Sequence, residues 1–327
     1  MTIRRAALAV FLAFGVLVAS FAAAQQAKSY RFAFLALAPE QGRPLMRALV
    51  ERLRELGYTE GRNMTFDYRS AEGRPERLPA LAAELVRARP DVLITGLGTL
   101  AAKAAKAATP NIPIVFTTVG DPVGAGLVAS LGHPGANVTG LTDQAGDLGG
   151  KQLQLLRELV PGMRAVAVLM NPDTPFTALA LKDIKAAAEI VRLPVNVLEA
   201  RTAEDVPRKL EAIGKTGSIG LLVLADPLTV SVGRQIADLA IRLRLPTISG
   251  GREFVEAGGL MSYGADHRQM YQRAAEYVDR IVKGARPAEL PIEQPTKFEL
   301  AINLKTAKAI GLSVPASALA RADHVIE

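Results

Sequence analysis

The residues best suited to chemistry in this 327-residue chain are small, polar and turn-forming, and they recur just after apolar runs. Gly96-Leu97-Gly98-Thr99, Gly120-Asp121-Pro122-Val123, Asn171-Pro172-Asp173-Thr174-Pro175-Phe176 and Asp226-Pro227-Leu228-Thr229 share this style, as does Ala38-Pro39-Glu40-Gln41-Gly42. Placed ahead of helices, such residues leave backbone N–H groups free to hold an anion or a carboxylate. The same residue types cap helices without touching any ligand, so each loop also has a purely structural reading. Asp121 and Asp226 occupy comparable loops and could act as paired carboxylates across a cleft, although the proline after each suits a turn equally well.

Gly96-x-Gly98-x-x-Ala101 follows an apolar strand-like run and opens a helix, the context of a dinucleotide fingerprint, with Asp121 about 20 residues further on. That fingerprint usually opens the first βαβ unit, whereas this one sits on the third strand. A carboxylate or phosphate cradle is therefore preferred, with a nucleotide site as its rival. No G-x-S-x-G elbow, H-E-x-x-H pair or P-loop occurs. The absence of cysteine removes thiol nucleophiles, cysteine-ligated zinc and disulfides. His133, His267 and His324 lack metal-ligand spacing, and Asp266-His267 reads as an exposed pair, because sequence neighbours usually diverge in space. No metal and no cofactor is expected.

The elements that must position these loops alternate. Strands are expected at 31–37, 63–69, 91–95, 113–119 and 137–141, with helices at 42–56, 75–89 and 100–108 between them. In the first helix Leu45, Leu49, Val50, Leu53 and Leu56 form one stripe, stopped by Gly57. The pattern restarts after Thr142: helix 149–159, strand 164–170, helix 176–191, strand 194–199, helix 203–213, strand 219–225. Two βαβ series predict two α/β lobes with parallel sheets, and the glycine-bearing stretch 142–150 reads as a hinge.

The N-terminus falls outside this scheme. Arg4-Arg5, the uncharged apolar run from Ala6 to Ala24, and its Ala22-Ala23-Ala24 ending match a cleaved signal peptide. A membrane anchor is the alternative, since the run is just long enough to span a bilayer. The net charge of +7 is dispersed, without a basic stripe or interleaved aromatics, so no nucleic-acid partner is expected.

Several segments are also familiar: Pro113-Ile-Val-Phe, Asp121-Pro-Val, His133-Pro-Gly-Ala-Asn-Val-Thr-Gly140, Lys151-Gln-Leu-Gln-Leu-Leu, Ala257-Gly-Gly-Leu-Met-Ser-Tyr-Gly264, and the run from Gln294 to Leu312. Together they resemble the bacterial ABC-transporter substrate-binding proteins of the family that includes tryptophan-binding members. The resemblance implies a type I periplasmic-binding-protein fold, two Rossmann-like lobes joined by three hinge segments, with residues 28–142 and 264–287 in lobe one and 143–263 and 288–327 in lobe two. The third crossing would lie near 286–291. It also implies a monomeric, periplasmic, non-enzymatic protein that closes on a small polar ligand such as an amino acid and delivers it to an ABC permease in the inner membrane. In such a cleft Gly98 and Thr99 would cradle a carboxylate and Asp121 would accept an ammonium group. Asn171, Thr174 and Phe176 would face them from lobe two, with Asp226 as a second acceptor, Phe176 as an apolar face or simply a core residue, and Tyr263 near a crossing. A ligand-sensing partner of a membrane receptor and, further off, an exported nucleotide-dependent enzyme are the alternative functions.

Overall fold

The computed structural model describes residues 28–37, 43–144, 148–213 and 219–327. The expected signal peptide, the loop 38–42 and the middle of the expected hinge at 145–147 lie outside the described residues. From residue 30 to 142 the chain forms β1 (Tyr30–Ala36), α1 (Arg43–Glu55), β2 (Met64–Ser70), α2 (Leu78–Arg87), β3 (Val92–Thr95), α3 (Thr99–Ala108), β4 (Ile114–Val119) and β5 (Val138–Thr142). It continues with α4 (Gly149–Leu159), β6 (Ala165–Met170), α5 (Pro175–Ile190), β7 (Val195–Glu199), α6 (Asp205–Ile213), β8 (Ile219–Val223), α7 (Pro227–Ser231), α8 (Gly233–Arg242), β9 (Thr247–Ser249), α9 (Arg252–Glu256) and β10 (Met261–Ala265). The last stretch holds α10 (His267–Val282), β11 (Phe298–Asn303), α11 (Leu304–Ala309), α12 (Ala316–Leu319) and β12 (His324–Ile326).

The strands form two sheets. The first is wholly parallel in the order β2-β1-β3-β4-β5, and the second runs β12-β11-β10-β9-β8-β6-β7 with one antiparallel pair, β10 against β11. The alternation of side chains along each strand explains the continuous apolar runs. In β1, Phe32, Phe34 and Ala36 join the core on one face, with Leu49, Leu53 and Tyr271, while Ala33 and Leu35 join the core on the other, with Leu78, Leu85 and Ala101. A strand covered by helices on both faces has no solvent side, so both of its side-chain rows are apolar. The second sheet repeats the arrangement: Val166 and Val168 meet Leu153, Leu156 and Ile184, and Ala167 and Leu169 meet Val206, Leu210 and Ile236.

Three segments join the lobes. The first follows β5. The second follows β10, where Ala265 already belongs to the first-sheet core and α10 packs on α1 and β4. The third lies later than the expected 286–291. Leu290 and Ile292 are buried in the first lobe's cores, the Ile292 N–H donates to the Leu131 carbonyl at 2.7 Å, and the Thr142 N–H donates to the Glu293 carbonyl at 2.9 Å. The chain therefore crosses at 294–297, because the apolar residues after Pro287 are used to cover the first sheet before β11 begins.

Phe34, 2% exposed, packs between the β2 aromatics Phe66 and Tyr68 and the α10 residue Tyr271. Phe34→Ala is expected to cost about 3–5 kcal/mol of unfolding free energy, measured by urea denaturation, because the surrounding rings cannot collapse into the space.

Candidate functional site

In open parallel sheets the crevice lies beyond the carboxyl ends of the strands, where strand order reverses. In the first sheet β1 lies between β2 and β3, and in the second β6 lies between β7 and β8. The loops 96–99, 171–176 and 226–229 follow β3, β6 and β8 and so belong to these positions. The lobes meet there. A Cβ on Gly98 would stand 3.0 Å from Pro227 Cγ, and one on Gly120 would stand 3.1 Å from Phe176 Cβ and Cγ.

The glycines of the Gly96-Leu97-Gly98 turn thus have packing reasons. Gly96 leaves no space for a Cβ, which would stand 2.5 Å from Phe34 Cζ and 2.9 Å from the Tyr271 hydroxyl. Gly98 adopts φ +95° and donates its N–H to the Thr118 carbonyl at 3.0 Å. Between them Leu97 is held at φ +26°, a strained conformation for a branched side chain, and its N–H donates to Tyr271 Oη at 3.1 Å. Thr99 is buried as the first residue of α3, while Thr95 and Thr118, beside this turn, bury hydroxyls that have no hydrogen-bond partner among the described residues.

The expected lobe-two residues cluster, but largely around their own caps. Asp226 is buried; its Oδ1 accepts the Thr229 N–H at 2.8 Å and its Oδ2 accepts the Thr174 hydroxyl at 2.8 Å. Burial pushes its carboxyl above the usual range, against the lowering effect of these bonds and of Asn171. Asn171 Oδ1 accepts the Asp173 N–H at 3.0 Å. Phe176 belongs to the second lobe's core and also lines the smaller cavity between the lobes. Tyr263 lies apart from this group, with its carbonyl accepting from Gln152 Nε2 at 2.9 Å and its ring beside Phe298. Asp121 does not join the group either. Its Oδ1 accepts the Gly124 N–H at 2.8 Å, closing its own turn.

Two adjoining cavities lie along the seam. One, about 50 Å3, is lined by residues that include Leu45, Leu97, Val230, Glu253, Phe254 and His267. The other, about 20 Å3, is lined by Asp143, Gln152, Phe176, Gly250 and Gly264 among others, and shares His267 and Ala225 with the first. These volumes hold a few waters at most.

His267 corrects the expectation of an exposed Asp266-His267 pair. Asp266 caps α10, its Oδ1 accepting the Gln269 N–H at 3.0 Å, and this turns His267 inward to 7% exposure. Its Nε2 lies 3.7 Å from Asp143 Oδ2 and its Nδ1 lies 3.4 Å from Glu253 Oε2. Burial alone would lower the imidazole pKa, but the Glu253 charge and the two carboxylate contacts raise it to about 10. Burial likewise pushes Glu253 up, and the charge and contact of His267 more than reverse it, leaving that carboxyl below its usual value. Sequence reading missed Glu253 because it stands in α9, a helix of five residues that follows β9, a strand of three, and elements this short leave little periodic signal.

Two α/β lobes joined by three crossings around a cavity have the architecture of the type I periplasmic-binding-protein fold. A model of the ABC transporter substrate binding protein family matches residues 44–326, and the chain belongs to that family. A tyrosine-binding protein of Clostridioides difficile is 28% identical over 267 residues, which span 81% of this chain and 76% of the relative. A conserved domain protein of Vibrio cholerae has a solved structure that is 31% identical, covers 91% of this chain and 100% of its own, and superposes with a TM-score of 0.85. An ABC domain from Streptococcus pneumoniae in complex with L-Trp shares the fold at a TM-score of 0.84 and 23% identity, again covering 91% and 100% of the two chains.

Two outcomes are expected. Because the Gly120 neighbours are in the other lobe, Gly120→Leu should weaken ligand binding at least tenfold in calorimetry while shifting the melting temperature little. His267, whose pKa is about 10 in the folded chain against about 6.5 unfolded, contributes stability that is complete below about pH 6.5 and is lost as pH rises through 10. His267→Gln should therefore lower unfolding free energy at pH 6 by about 3 kcal/mol, and that deficit should shrink towards pH 10 in parallel denaturation series.

Proposed function

We propose that this protein captures an α-amino acid with an apolar or aromatic side chain between its lobes and presents the closed form to the permease of an ABC importer in the inner membrane. The observation that carries this reading is the seam cavity at the strand ends of both sheets, with Leu45, Leu97, Val230, Phe254 and Phe176 as apolar walls and Glu253, His267, Asp143 and Gln152 as polar groups among them. The α3 N-terminus, with Thr99 and the unpartnered Thr95 and Thr118 hydroxyls beside it, suits a carboxylate. The tyrosine-binding relative supports an aromatic ligand.

Closure follows from differential contact. A solute held by one lobe gains the walls of the other only when the seam shuts, and the population moves by that gain. The apolar run at residues 6–24 supports export to the periplasm, and no helix among the described residues is long and apolar enough to cross a membrane.

Mass spectrometry of small molecules released by denaturing freshly purified protein, followed by calorimetry with L-tyrosine, L-tryptophan, L-phenylalanine and D-arabinose, tests the proposal. An aromatic amino acid should be recovered unaltered at near one-to-one stoichiometry. Binding of the sugar alone, or recovery of a converted product, would overturn it.

A further inference from the structure

We propose that Glu253 is the acceptor for the ligand's ammonium group, and that His267 is the residue that positions it, from between Glu253 and Asp143. This deepens the amino-acid reading given above and rests on it.

Four carboxylates stand near these strand ends. Asp121 and Asp226 are bound within their own turns, the first through Gly124 and the second enclosed by Thr174 and Thr229. Asp143 and Glu253 both face His267, and Asp143 is the less accessible of the two at 17% against 35%. The Glu253 side chain lines the larger seam cavity, while His267 behind it keeps 8% of its surface accessible. Neither cavity is lined by a lysine or an arginine among the described residues. One imidazolium facing two carboxylates leaves a single negative charge at the seam, which a ligand ammonium balances as it leaves water.

Other charges near Glu253 are directed elsewhere. Arg252 lies 3.3 Å from Glu256 and 3.4 Å from Glu299, and its Nη1 is 2.8 Å from His324 Nε2. It adds only the smallest of the lowering influences on Glu253. The Tyr271 hydroxyl also feels Glu253, and burial together with that charge keeps it protonated. His267 is therefore the cation that faces this carboxylate. Without it, burial would draw Glu253 towards its neutral form, which accepts an ammonium poorly.

The test is calorimetry at pH 7 and pH 5 with L-tyrosine and L-tryptophan, and with the same skeletons lacking nitrogen, 3-(4-hydroxyphenyl)propionate and indole-3-propionate. The parent should prefer the amino acids strongly at both pH values. Glu253→Gln should weaken amino-acid binding about 30-fold and leave the deaminated acids unchanged, while Glu253→Asp recovers part of the loss. His267→Gln should bind amino acids at pH 7 but lose affinity towards pH 5, a pH response that a merely structural role would not produce. Melting curves confirm that each variant is folded. A Glu253→Gln variant that keeps the parent's preference for the ammonium-bearing ligands overturns the assignment and leaves the amino-acid reading intact. A parent that binds neither amino acid overturns both.

Discussion

Burying an imidazolium between two lobes costs several kcal/mol unless carboxylates face it, and His267 meets that condition from both sides of the seam. Asp143 comes from the segment just after β5, Glu253 from α9 in the second lobe, and His267 itself opens the helix that returns the chain to the first lobe. One ionic cluster thus ties two of the three crossings to the cavity wall. Its geometry depends on the cap at Asp266, which sets the first turn of α10, so a local helix-start signal fixes the direction of a group that is otherwise far from any neighbour in sequence.

The rest of the seam is governed by close approach. Gly98 and Gly120 lie against Pro227 and Phe176, and side chains at either position would hold the lobes apart. Behind the first of these turns, Phe34 and Tyr271 leave no space for a side chain at Gly96, and the Tyr271 hydroxyl fixes the strained Leu97. The glycine spacing that resembles a nucleotide fingerprint is therefore explained by core packing beneath the turn and by lobe contact above it.

Much of this was legible in the sequence. The double-sided apolar strands and the restart of the βαβ pattern after Thr142 specify two α/β lobes, because burial on both faces of a parallel strand admits little else. The turn residues at Gly98, Thr99, Asn171, Thr174 and Asp226 mark the strand ends correctly. Their individual roles were not legible, since a side chain that caps its own helix and one that faces a ligand have the same composition and the same position relative to the strand.

By itself, then, the sequence determined the lobes, the order of their elements and the set of loops that could meet. Tertiary structure alone decided which carboxylates face the cavities and where the last crossing falls. Glu253 and His267 stand 14 residues apart on two separate helices with no shared periodicity, and Ile292 joins the first lobe by packing into a core built from segments far away in the chain. Local patterning records the face of an element that is buried, but the partner it is buried against is set by packing between segments far apart in the chain, and the environment of a charge follows from that partner.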